Sequence, residues 1–317
     1  MAEEVATRFF ILSDTHGDPL PIPEAAFDVA IHAGDLTEES KLDEFKAAIS
    51  LLHEIKAPLK LVIPGNHDFT LDEPMFKRKL AAIEPPLDDD LIKREYGAFG
   101  EVSRLFDDAR ESGIILLEEG THKFKLANGA VLTVYASPYT ASLSDWGFQY
   151  HPQQGHDWSI SNDVDVVITH GPPKGVLDYT DSKTRAGCPG LFAAVARARP
   201  RLHCFGHIHE GWGAKRVTWR DTPSDQPSHF TDIDNDESHV VQNLAGLRAD
   251  RFDDTTSIAE KKETLDKYTK LRYCPVAQEL RKDVNTLFVN AAIEGPDEGK
   301  LQLPWLVEIK LPRASQE

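Results

Sequence analysis

Two histidines one residue apart, His207 and His209, follow a short apolar run, Leu202–Phe205, and a single glycine. In extended backbone, side chains two apart point the same way, and at about 3.3 Å of rise per residue their roots lie roughly 6.6 Å apart. Both imidazoles can then serve one metal centre. A pair of surface histidines behind a buried strand fits the stretch equally well. Chelating residue types recur, however, at the ends of other apolar runs. Asp14 and His16 follow residues 7–13, and Asp35 follows residues 27–33. Asn66, His67 and Asp68 follow Leu59–Ile63, and His170 follows residues 165–169. Turn chemistry explains any one such ending. It explains poorly three within the first 68 residues.

The elements that must position these groups are strands with helices between them. Residues 41–53 read as an amphipathic helix, residues 69–110 as a polar helical excursion with an acidic loop at 84–90, and residues 187–197 as a further helix. Strands are expected again at 114–117 and 131–136, with Asn128-Gly129 as the hairpin turn before the latter, and at 286–293 and 305–311. A strand-helix-strand rhythm would gather the strand ends along one edge of a parallel sheet, where α/β proteins place ligands.

Residues 214–284 turn polar and charged, which predicts an insertion in an otherwise single domain over 1–317. Residues 221–236 read as a mobile loop and 257–273 as a capped, charged helix. Because this segment leaves just past His209, part of it is expected to line or cover the pocket. Gly295-Pro296-Asp297-Glu298-Gly299 reads as a turn.

A formal charge of -17 argues against bulk nucleic-acid or anionic-membrane binding, both of which need clustered Lys and Arg. A small phosphorylated substrate stays compatible, because bound cations reverse the local sign. No run approaches eighteen apolar residues, and the opening Met-Ala-Glu-Glu-Val lacks a signal-peptide pattern, so a cytoplasmic location is expected. Cys188, Cys204 and Cys274 are widely spaced without a CxxC pattern, which predicts reduced, mostly buried thiols.

In order, Asp14-x-His16, Gly34-Asp35, Gly65-Asn66-His67-Asp68, His170 and Gly206-His207-x-His209 resemble the calcineurin-like metallophosphoesterase superfamily. Ser137-Pro138, Trp146-Gly147-Phe148 and Thr169-His170-Gly171-Pro172-Pro173 are similar to its metallophosphoesterase-domain branch, near the class III cyclic nucleotide phosphodiesterases. The resemblance implies a four-layer αββα sandwich with two mixed β-sheets flanked by helices. It implies two divalent ions (Mn, Fe or Zn), one held by Asp14, His16 and His209, the other by Asn66, His170 and His207, with Asp35 between them. The implied reaction is hydrolysis of a cyclic nucleotide or other small phosphodiester by a metal-bridging hydroxide, with a phosphomonoesterase, a protein phosphatase or a nucleotide-binding protein with vestigial catalysis as rivals. His67 would serve as general acid, oriented by Asp68, for which a helix N-cap is the equal alternative. Asn66 and His67 would also contact substrate. Tyr139, Trp146, Phe148, Tyr179 and Trp212 are candidates for a nucleobase wall, of which Tyr139, Trp146 and Trp212 are the preferred contacts. Self-association is left open.

Overall fold

Successive residues of a strand face opposite ways, and in β1 (Glu4–Leu12) both faces end apolar: Phe9 and Ile11 enter one core, Phe10 and Leu12 another. Such a strand must be covered on both sides. The computed structural model, which describes residues 3–295 and 301–315, shows how. Strands β2 (Val29–Ala33), β3 (Leu59–Ile63) and β4 (Ile114–Leu116) continue parallel to β1. Helix α1 (Leu42–Glu54) connects β2 to β3, and α2 (Glu73–Ala81), α3 (Asp89–Tyr96) and α4 (Glu101–Ala109) lie between β3 and β4. Phe45 and Leu52 of α1 and Phe106 of α4 pack on Phe10, Leu12 and Val62, forming the outer core of this sheet.

A second sheet starts with a hairpin, β5 (Gly120–Lys125) and β6 (Val131–Ser137), paired antiparallel. The short β7 (Thr140–Ala141) and β8 (Gln149–Tyr150) pair only with each other. Then come β9 (Val166–Thr169), α5 (Pro189–Ala198), β10 (Leu202–Phe205), β11 (Gly213–Trp219), β12 (Ile233–Asn243), α6 (Thr255–Leu271), β13 (Cys274–Val276), β14 (Asn285–Asn290) and β15 (Trp305–Pro312). The sheet orders are β13-β15-β1-β2-β3-β4 and β12-β11-β14-β10-β9-β6-β5. Within the second, β6, β9, β10 and β14 are parallel neighbours. Phe9, Ile31 and Leu61 meet Val134, Ile168, Cys204 and Val289 between the sheets, and Leu191, Phe192 and Val195 of α5 cover Phe205 and Phe288 outside. The layers are helix, sheet, sheet, helix, and both sheets are mixed.

Residues 214–284 are woven into both sheets. Strand β11 pairs antiparallel with β14 inside the second sheet, β12 extends that sheet by one strand, and β13 pairs with β15 in the first. The expected mobile loop is tied down by Asp232, which is 2% exposed and accepts from Ser224, Ser228 and Thr231. Helix α6 matches the expected charged helix and is capped by Asp254, which accepts from Ser257 N. Its neighbours are β13 and, through Arg272, the Ile22 carbonyl. The expected turn after Gly295 lies, from Pro296 to Gly299, outside the described residues. Cys204 and Cys274 are buried and Cys188 half-buried, all free. Among the described residues no helix is long and apolar enough to cross a membrane.

Candidate metal centre

The parallel strands of both sheets deliver their carboxyl ends to one rim, and five of them bring chelating groups there. Asp14 and His16 follow β1, Asp35 follows β2, Asn66 and His67 follow β3, His170 follows β9, and His207 and His209 follow β10. The backbone turns sharply at these points: Asp14, His16, Asp35 and His207 have φ of 52°, 48°, 52° and 66°. Such left-handed conformations cost of order 1–3 kcal/mol each in non-glycine residues and persist where function requires them. The contacts also leave no room for side chains between loops. A Cβ on Gly206 would sit 1.8 Å from Asp14 Oδ2, and one on Gly65 would sit 2.2 Å from Asp35 Oδ1.

Three imidazole–carboxylate clusters result, of which His16, Glu38 and His67 form the outermost and most exposed. Of the two inner ones, Asp14, His16 and His209 form one, and Asp35, His170 and His207 the other. The two histidines of the His-x-His stretch therefore do not share a strand face. The strand ends at Phe205, His207 adopts a left-handed turn, and His209 opens a short 3-10 turn, so the two rings enter different clusters.

Asp14 accepts from His207 N at 2.9 Å (Oδ1) and 3.1 Å (Oδ2), and its Oδ1 is 3.3 Å from His209 Nε2. Asp35 sits between the clusters: its Oδ1 accepts from His67 N at 2.8 Å, while Oδ2 lies 3.1 Å from His170 Nε2 and 3.9 Å from His16 Nε2. His170 donates from Nδ1 to the Ala33 carbonyl at 3.0 Å, which turns its Nε2 toward Asp35 and toward Asn66 Oδ1, 3.0 Å away. With Nδ1 occupied by that carbonyl, Nε2 is the nitrogen that would give up its hydrogen to a bound cation.

The electrostatics follow from burial set against mutual attraction. Burial works to raise the Asp14 carboxyl, but the His209 hydrogen bond and the charges of His170 and His209 hold it down at about 2. Asp35 is driven lower still against its burial, chiefly by His170. Reciprocally, burial opposes charging of His170 and His209, yet Asp35 raises the former and Asp14 the latter to about 9. Burial and the charge of His170 push His207 down to about 4.

The residues fit a divalent pair. All donors are O or N, with no thiolate, and the His16 ring tests the fit most directly. Its side chain is 7% exposed, with Nδ1 2.6 Å from Glu38 Oε2 and Nε2 3.2 Å from Glu294 Oε2, yet neither contact has hydrogen-bond geometry. A neutral imidazole so placed has one ring-nitrogen lone pair to offer a cation.

His67 stands at the mouth. Its Nδ1 donates to the Glu38 carbonyl at 2.7 Å, and Trp146 stacks on the ring with centroids 4.3 Å apart. Asp68 does not orient it and makes no side-chain cap. Instead the carboxylate, fully buried, accepts from Leu36 N, Gly65 N, Thr37 N and Thr37 Oγ1, tying the loop after β2 to the loop after β3. Burial, then the charge of Asp35, pushes it up to about 6.

Trp212 is not a substrate contact. It is 2% exposed, stacks on Trp305 at 4.4 Å and donates from Nε1 to the Leu303 carbonyl, because β11 carries the following residues into the sheet. Tyr139 is half-buried and borders a small recess with His207, with Phe148 edge-on to it. Tyr179 is half exposed beneath Arg185. Glu38 and Glu294 escaped the sequence reading. Glu294 carried one usable signal, a carboxylate just past an apolar strand.

A family model described as calcineurin-like phosphoesterase matches residues 7–211. Metallophosphoesterase domain-containing protein 1 of Homo sapiens, and that of Mus musculus, are each 38% identical over 216 residues, covering 65% of this chain and 62% of the relative. The match thus spans less than two thirds of those proteins. A solved structure from Thermus thermophilus aligns over 67% of this chain and 84% of its own, with 14% identity and a TM-score of 0.41. Metal-dependent phosphoester hydrolysis is the chemistry of the matched family, and the chain belongs to the calcineurin-like phosphoesterases.

Proposed function

We propose that this protein is a two-metal phosphodiester hydrolase acting on cyclic nucleotides or other small phosphodiesters. One observation carries the reading: two histidine–carboxylate clusters meet at Asp35, and the ring of His67 stands beside them. Asp14, His16 and His209 would hold one divalent ion, Asn66, His170 and His207 the other, and Asp35 has an oxygen to share between them. Mn, Fe and Zn all suit such O and N donors. Bound ions would polarise the phosphoryl oxygens and lower the pKa of water toward about 7.

The chain's own part is positioning and proton transfer. Because the Glu38 carbonyl can only accept, His67 Nδ1 keeps its hydrogen, and Nε2 is the nitrogen that can give a proton to a leaving oxygen. Trp146 fixes the plane of that ring. Beside Trp146, a cavity of about 470 Å³ is lined by Phe69, Met75, Phe76, Lys79 and Tyr96, a size and character suited to the organic part of a small ester. Lys79 Nζ lies 4.5 Å from the Trp146 ring centre.

The test compares Mn-loaded protein on an aryl phosphodiester and on the matching monoester, followed by a panel of cyclic nucleotides. Faster turnover of the diester is expected. Preferential turnover of the monoester would replace this reading with a phosphomonoesterase.

A further inference from the structure

Strand β14 runs parallel to β10, so its carboxyl end opens on the same rim as the strands already described. What it delivers there is Glu294, which lies outside the residues matched by the family model. The segment is built onto the site through main chain. Ala291 N donates to the Phe205 carbonyl at 2.8 Å, Ile293 N to the Ser13 carbonyl at 2.8 Å, and Glu294 N to the Asp14 carbonyl at 3.0 Å. Gln302 Nε2 then donates to the carbonyls of both Glu294 (3.2 Å) and His209 (3.0 Å). Two of the candidate ligands thus hold the backbone that carries this carboxylate.

From that position Glu294 Oε2 lies 3.2 Å from His16 Nε2 and 3.4 Å from His209 Nδ1, reaching inward from a side chain that is 45% exposed. A fortuitous surface ion pair would leave the imidazole aligned with its acceptor. His16 is not aligned: it is 7% exposed, with Glu38 Oε2 2.6 Å from Nδ1 and Glu294 Oε2 3.2 Å from Nε2, and neither contact has hydrogen-bond geometry. A buried nitrogen and a carboxylate oxygen that converge without hydrogen-bond geometry are arranged as a shared cation would hold them.

We propose that Glu294 supplies an additional carboxylate to the metal position formed by Asp14, His16 and His209, contributed by the C-terminal part of the chain. The inference rests on the two-metal reading above. Its chemistry is direct: Asp14 and Asp35 alone offset half the charge of a divalent pair, and a further hard oxygen donor strengthens one position without touching the other.

The experiment uses the full chain stripped with chelator and titrated with Mn(II) by calorimetry, beside thermal melts with and without the metal. Glu294→Gln keeps the shape and removes the charge, and Glu294→Ala is measured in parallel. The expected result is wild type binding two ions, and a variant in which one of the two is weakened about 10- to 100-fold, as for groups that support metal ligands. Its metal-free melting temperature should equal that of wild type, and its stabilisation by Mn(II) should shrink. Wild-type isotherms in the variants, equal weakening of both positions, or weakening accompanied by a lowered metal-free melting temperature in both variants would overturn the proposal. Wild type binding fewer than two ions would overturn it together with the two-metal reading. Two-site binding lost at one position in Glu294→Gln, with no diester hydrolysis by wild type, would instead uphold Glu294 and remove the proposed reaction.

Discussion

At His67, the neighbours decide which proton can move. A backbone carbonyl takes the Nδ1 hydrogen and an indole holds the ring face, with the Glu38 carboxylate 3.8 Å from Nδ1 beyond them. His67→Ala should therefore leave metal content unchanged while slowing hydrolysis of a diester with a poor leaving group by about 100- to 10,000-fold, the usual contribution of a general acid. A diester with an activated aryl leaving group should lose much less, because it departs without a proton. Equal turnover by variant and wild type on the poor leaving group would rule out this role. The same residue-by-residue logic explains the glycine before His207. With Asp14 Oδ2 at 1.8 Å from any added Cβ, the polypeptide at Gly206 fits against the carboxylate only as bare backbone.

At the scale of elements, the site depends on loops being held to one another as well as on strands. Asp68 is the clearest case: one buried carboxylate satisfies donors from Leu36, Thr37 and Gly65, fixing the positions of Asp35 and Asn66 on either side. Asp68→Asn replaces one acceptor oxygen with an NH2 that faces donors. Each donor left unsatisfied costs about 1–3 kcal/mol, so the metal-free variant should melt several degrees lower, and an unchanged melting temperature would contradict the clamp. Sequence adjacency to His67 suggested the wrong partner, since it says nothing of which loop a side chain faces. What was legible were runs such as Leu59–Ile63, short, apolar and closed by chelating groups, because strands buried on both faces announce themselves by composition. What was not were β5, whose residues alternate between half-buried and exposed, and β12, which mixes half-buried and exposed residues at the sheet edge, since neither carries a continuous apolar signal. Trp212 failed for a related reason. An aromatic beside a motif reads as a wall, and only the pairing of β11 with β14 turns it into the core.

Over the whole molecule, two effects of acid oppose each other. The chain carries -17 at neutral pH with a sequence pI near 5.2, so acidification relieves self-repulsion and favours the compact state. Buried neutral histidines act the other way. His203, on β10 and fully buried, meets Thr169 Oγ1 at 2.9 Å through Nε2, while Nδ1 has no partner, and burial pushes it from 6.5 down to about 3. The unfolded chain therefore binds this proton first. Stability from keeping His203 neutral is complete above about pH 6.5 and is lost progressively as pH falls from there toward 3. By about pH 5 the loss from this one ring is about 2 kcal/mol, at roughly 1.4 kcal/mol per pH unit below its unfolded value. His203→Gln retains a polar atom for Thr169 and removes the titration. Urea unfolding of the metal-free proteins at about pH 7.5 and about pH 5 should show wild type losing about 2 kcal/mol more than the variant between the two conditions. Equal losses would mean that His203 is already solvated in the folded chain, leaving the acid sensitivity to the other buried histidines, His32 and His207, and to the carboxylates.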